Sequence, residues 1–209
     1  MRPSFLFFRS DLMIIFSWNC RGAASQSFTR TLKEYLRMHK PDLVILQETR
    51  CSGDTARRTI DRSGFAFSHV QDANGFSGRI WIIWNDLNIS VKVVRSCVQF
   101  IHMEVTHGNN HSWMLTAIYA SPQERTRRSL WSELRTIATC MSKAWLLVGD
   151  FNEIMCASEK KGGGRTDLHA CAKFKKWIDD CCLIDLGYIG PNLLGRALSG
   201  KGWNVFLKG

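Results

Sequence analysis

A chain of 209 residues with 45% hydrophobic content suits one domain with a sizeable core, and no Pro/Ser-rich linker or charge block divides it. Lys and Arg number 28 against 18 Asp and Glu, a net charge of +10 with a pI near 9.4, so the expected partner is anionic, such as nucleic acid. The amino-terminal apolar stretch Phe5-Leu6-Phe7-Phe8 is interrupted by Arg9 and Asp11 and is too short for a membrane span or a signal core, which leaves a nuclear or cytoplasmic protein as the expectation.

In chain order, residues 1–12 read as an unstructured lead-in. Met13-Ile14-Ile15-Phe16 follows as a strand, and residues 28–38 carry Phe28, Leu32, Tyr35 and Leu36 at helical spacing up to Pro41. Leu43-Val44-Ile45-Leu46 is a second strand, and residues 54–62 suit a short helix. Strand-like runs then cover residues 65–70, 79–84, 89–94, 98–106 and 112–120. Helical periodicity returns over residues 123–141, through Leu130, Leu134 and Ile137, and over residues 168–180, through Phe174, Trp177 and Ile178. Between these helices lies a third fully apolar run, Trp145-Leu146-Leu147-Val148. Helices bracketing mixed strands imply an α/β fold of two packed mixed sheets with helices outside.

Each of the three fully apolar runs has the composition of a strand buried on both faces. Each ends in a polar cluster: Trp18-Asn19-Cys20-Arg21-Gly22, Gln47-Glu48-Thr49 and Gly149-Asp150-Phe151-Asn152-Glu153. The polar residues therefore fall at strand C-termini, and neighbouring strands would gather Asn19, Glu48, Asp150 and Asn152 on one rim of a sheet. Eight cysteines show no Cys-x-x-Cys spacing, which argues against zinc or a redox motif and for reduced thiols.

With Trp81-Ile82-Ile83-Trp84-Asn85, Ile118-Tyr119-Ala120-Ser121-Pro122, Gly163-Gly164-Arg165 and residues 185–191 added in order, residues 13–191 resemble the endonuclease/exonuclease/phosphatase superfamily. Within it they are similar to the apurinic-type endonuclease domain of plant LINE-type non-LTR retrotransposons. The resemblance implies that superfamily's α/β sandwich and a Mg²⁺-dependent hydrolase that nicks DNA, with Mn²⁺ as an alternative cation. It also implies roles. Glu48 would hold the metal, Asp150 would orient or deprotonate the attacking water, and Tyr119 would approach the scissile phosphate. Asn152 and Asn19 carry neutral amides that can bond a phosphoryl oxygen or fix a neighbouring carboxylate without adding negative charge. Gly149 would let substrate or metal approach closely.

Each residue has a plainer alternative: a solvated Glu at a strand end, a turn-capping Asp or Asn, a core Tyr with a wet tip. Glu153 reads as a supporting or turn residue, and the histidines at 39, 69, 102, 107, 111 and 169 read as surface or loop residues. Arg57, Arg58, Arg125, Arg127, Arg128, Lys160, Lys161, Arg165, Lys173, Lys175 and Lys176 are candidates for phosphate steering. Arg79 stands where retrotransposon relatives carry a glycine.

Relatives continue past such a chain with a Phe-Thr-Trp strand, a Leu-Asp-Arg segment and a closing Ser-Asp-His motif. Residues 192–209 contain neither Asp nor His and read as a divergent tail, leaving the domain C-terminally incomplete. The expected result is an impaired nuclease with an open sheet edge. A dead retroelement remnant that binds nucleic acid and a phosphoesterase acting on small phosphate esters are the alternatives. A polyprotein piece with a reverse transcriptase downstream would read the same way.

Overall fold

A computed structural model of the chain describes residues 4–9, 13–71, 80–108, 111–159, 166–186 and 203–208. The elements are β1 (Ser4–Arg9), β2 (Ile14–Asn19), α1 (Gln26–His39), β3 (Leu43–Gln47), α2 (Gly53–Ser63), β4 (Phe67–Val70), β5 (Ile80–Trp84), β6 (Ile89–Cys97), β7 (Phe100–His107) and β8 (Trp113–Tyr119). They continue with α3 (Glu124–Thr139), β9 (Trp145–Asp150), α4 (Leu168–Asp180), β10 (Ile184–Asp185) and β11 (Trp203–Lys208).

Among the described residues the strands form two mixed sheets, in the orders β1-β2-β3-β5-β4 and β10-β11-β9-β8-β7-β6. Because side chains alternate across a strand, each fully apolar run serves two cores. Ile15 and Ile45 from the first sheet meet Leu146 and Val148 from the second in the core between them. On the outer face of the first sheet, Phe16, Val44 and Leu46 pack with Phe28 and Leu32 of α1 and Ile60 of α2. Across the second sheet's outer face, Trp145 and Leu147 pack with Leu130 and Leu134 of α3 and Phe174 and Trp177 of α4. The result is the expected two-sheet α/β sandwich with helices outside.

Local chemistry sets the helix ends. The Ser25 hydroxyl accepts from the Phe28 N–H (3.1 Å) at the start of α1, and Lys40 closes that helix in the left-handed region just before Pro41. Asp167 caps α4 by accepting from the His169 and Ala170 N–H groups.

Both ends of the chain differ from expectation. The stretch read as an unstructured lead-in contains β1, which pairs antiparallel along the whole of β2, from Ser4↔Asn19 to Arg9↔Ile14. An uncovered edge of β2 offers a row of backbone donors and acceptors, and a short apolar segment satisfies them. The expected open edge beside β9 is likewise filled. β11 pairs antiparallel with β9 from Trp203↔Asp150 to Lys208↔Trp145, with Val205 and Phe206 buried. Residues 187–202 lie outside the described residues.

Candidate active site

β2 and β3 run parallel with Asn19 beside Gln47, and β8 and β9 run parallel with Tyr119 beside Asp150. The polar strand ends meet, but across the sandwich: Asn19 and Glu48 come from one sheet, Tyr119 and Asp150 from the other. The rim is therefore shared by two sheets, where adjacent strands of a single sheet were expected. Asn19 Nδ2 spans the gap and donates to Asp150 Oδ2 at 3.2 Å.

Asp150 is buried, and its second oxygen accepts from the backbone N–H of Asn152 at 3.0 Å. Burial pushes its carboxyl up to about 6, reinforced by the nearby Glu48 charge and opposed by the Asn152 N–H, the Asn19 amide and Arg21. The Asn19 side-chain amide bonds the Asp150 carboxylate. Asn152 holds Asp150 through its backbone, while its side chain donates to the Ala120 carbonyl at 2.7 Å.

Glu48 follows β3 directly and bears an ion pair with Arg50. The Tyr119 phenol is hydrogen-bonded to Glu48, and burial, with the Glu48 and Asp150 charges, pushes it up to about 12. Tyr119 is thus a neutral hydrogen-bond donor at physiological pH. Arg21, Glu48, Arg50 and Asn152 all adopt left-handed backbone conformations, with φ between 50° and 56°. Strain of this kind in non-glycine residues gathers at functional sites. Gly149 also has positive φ, at 141°, but for a reason other than the one expected. A Cβ there would lie 2.0 Å from the Ile118 carbonyl oxygen of the parallel neighbour strand, so the glycine admits β8 and not a ligand.

The donor set fits a hard cation. Asn19 Oδ1 is buried and accepts no hydrogen bond among the described residues. It lies at the same rim as the Glu48 and Asp150 carboxylates, and the Glu48 charge adds to the cost of ionising Asp150. No cluster of three or more His, Cys, Asp or Glu side chains suited to a metal occurs among the described residues. Few carboxylates and neutral oxygen donors match a cation that retains its waters, as Mg²⁺ does. The eight cysteines are thiols and not disulfides, and burial pushes Cys20 up to about 12 and Cys181 to about 11, far from thiolate metal ligands.

Other candidates resolve differently. Glu153 is a supporting residue, but its partner is Arg127, which is buried and so is not among the phosphate-steering cations. Arg128 pairs with Glu124 and Lys176 with Asp180. Arg79, Lys160, Lys161, Gly162, Gly163, Gly164 and Arg165 lie outside the described residues. His102, expected at the surface, is buried against the Trp145 ring, with Nδ1 2.8 Å from Thr116 Oγ1, a hydroxyl that also accepts from Trp145 Nε1. Sequence reasoning missed Arg50, Gln99 and the role of Arg127. An arginine two residues after Glu48 was the available signal for the first; long-range pairing hid the others.

The sequence profile of the endonuclease/exonuclease/phosphatase family matches residues 16–205. No curated protein matches the chain in sequence. Among solved structures, an AP endonuclease from Archaeoglobus fulgidus aligns with TM-score 0.64 and 14% identity, over 92% of this chain and 85% of that one. The endonuclease domain of TRAS1, a telomere-specific non-LTR retrotransposon, aligns with TM-score 0.65 and 13% identity, over 92% and 83%. A 3′ phosphatase, NExo from Neisseria, bound to a product DNA hairpin, gives TM-score 0.65 and 14% identity, over 93% and 86%. At these identities the likeness carries the fold, and the profile match carries the kinship. The chain belongs to the endonuclease/exonuclease/phosphatase family.

Proposed function

We propose that this chain is a divalent-metal-dependent DNA endonuclease of the non-LTR retrotransposon type. The observation that carries the reading is the convergence of Asn19, Glu48, Tyr119, Asp150 and Asn152 at one rim, joined across two sheets by the Asn19–Asp150 hydrogen bond. The net charge of +10 favours a polyanionic substrate over small phosphate esters. The DNA-bound 3′ phosphatase and the retrotransposon endonuclease among the structural neighbours support the same direction.

Glu48 and Asn19 Oδ1 would hold the cation, Mg²⁺ or Mn²⁺, which when bound supplies Lewis-acid polarisation of the phosphate. The chain's own residues do the rest. Asp150, held by the Asn19 amide and the Asn152 N–H, orients a water and accepts its proton as the water oxygen attacks phosphorus. Tyr119, a neutral phenol, donates to a phosphoryl oxygen as negative charge develops there. Cleavage of the opposite P–O bond releases an alkoxide that must gain a proton. That proton comes from solvent.

A second reading, a retroelement remnant that binds DNA without cutting it, rests on the net charge of +10, which binding alone would use. Supercoiled-plasmid nicking with Mg²⁺ separates the two, run with the native chain, Asp150→Ala and a chain carrying a relative's Phe-Thr-Trp to Ser-Asp-His segment. Slow nicking abolished by Asp150→Ala supports the endonuclease. Nicking that arises only with the grafted segment supports the remnant, and none in any form rejects the endonuclease reading.

A further inference from the structure

Arg127 lies in the first turn of α3, where an arginine ordinarily extends into solvent. Its side chain is instead only 8% exposed, and that of Glu153 only 13%. Arg127 Nε donates to Glu153 Oε1 at 3.1 Å, Nη2 donates to the same oxygen, and Nη1 donates to the Ser121 carbonyl at 2.6 Å. Ser121 follows Tyr119 by two residues in the loop leaving β8, and Glu153 follows Asp150 by three in the loop leaving β9. One guanidinium therefore bridges the two loops that carry the second sheet's share of the rim.

Those loops also touch through the Ala120 N–H, which donates to the Asp150 carbonyl at 2.8 Å, and through the Asn152 side chain on the Ala120 carbonyl. The loop after β8 is fixed independently from its far side by Gln99, in the turn between β6 and β7. The Gln99 backbone carbonyl accepts from the Tyr119 N–H at 2.9 Å, its Oε1 accepts from the Ser121 N–H at 2.8 Å, and its Nε2 donates to the Thr126 carbonyl at 3.0 Å. The loop after β9 has no such anchor of its own in the Gln99 set. Asn152 in that loop sits at φ 50°, a conformation that persists only where the surroundings enforce it.

A buried ion pair contributes little net stability compared with apolar side chains of similar volume, whereas its planar fork fixes direction. We propose that Arg127 is a positioning residue: with Glu153 it locks the loop after β9 onto the Gln99-braced loop after β8, holding the Asn152 N–H on Asp150. The catalytic consequence rests on the function proposed above; the clamp itself does not.

The test uses the full chain in three forms: native, the paired replacement Arg127→Met with Glu153→Leu, and Arg127→Lys. The paired replacement leaves no unpartnered buried charge, and the lysine keeps the charge without the fork. Amide hydrogen exchange should be about tenfold faster at Asn152 and Ala120 in both variants, with Leu115 of β8 and Leu147 of β9 within about twofold of native. In nicking assays, kcat should fall about 100-fold with KM little changed. Unchanged exchange at Asn152 and Ala120, or equal acceleration throughout both sheets, overturns the proposal. A native chain that does not nick rejects the endonuclease reading, and the exchange result still decides the clamp.

Discussion

Asp150 shows how environment, and not residue type alone, sets a group's chemistry. Its carboxylate is buried beside a second carboxylate, and the Asn152 N–H, the Asn19 amide and the Arg21 charge offset that cost. Tyr119 feels the same two carboxylates and stays protonated. Tyr119→Phe should keep the fold, since the ring packs against the inter-sheet core, yet lower single-turnover nicking by about 10- to 100-fold through loss of one donor to the developing charge. Circular dichroism and a nicking time course check the two halves of that expectation.

His102 makes the complementary case on the outer face of the second sheet. Burial, aided by the Arg95 charge, lowers its imidazole to about 4. Between pH 6.5 and 4 the unfolded chain therefore binds a proton that the folded chain does not, so stability falls as pH drops through that window. Allowing for partial screening, the loss is on the order of 2 kcal/mol. Urea midpoints at pH 7 and pH 5 should separate for the native chain, and His102→Gln should narrow the gap.

Among the elements, β8 and β9 depend on one missing side chain. Gly149→Ala would set a methyl group 2.0 Å from the Ile118 carbonyl oxygen while holding φ at 141°. Stability should fall by about 3 kcal/mol or more, read as a lower melting temperature in calorimetry, with Asp150 displaced and nicking lost. A melting temperature within a degree of native would refute this account of the glycine. Elements were legible in sequence wherever physics is local. Runs such as Leu43-Val44-Ile45-Leu46 read as strands because they are buried on both faces, and α4 fell on its expected span because Asp167 caps it and Phe174, Trp177 and Ile178 share a face. What stayed hidden was non-local. β1 reads as a lead-in until β2 offers it an edge. Arg127 reads as one more surface cation until Glu153, 26 residues on, comes within reach. The candidate residues at strand ends were legible because they close apolar strands, but strand order alone does not say which sheet a strand joins, so the two-sheet rim was not.

At the scale of the molecule, β11 completes the second sheet. Phe206 is fully buried against Phe151 and Phe174, with ring centroids 5.1 and 6.1 Å away. Phe206→Ala should destabilise the chain by about 3–5 kcal/mol, and thermal melts should show it together with greater binding of a hydrophobic dye as the edge of β9 opens. A chain indifferent to this change would mean that β11 adds nothing to the sandwich.

A rim drawn from both sheets also behaves as a fastener. Asn19 and Asp150 stay within bonding distance only while the sheets keep their mutual alignment, so a slip of about an ångström would silence the chemistry well before the molecule melts. Conversely, a substrate analogue that touches Glu48 and Asp150 together acts as a rivet through the seam, and its binding energy adds directly to the cohesion of the two halves.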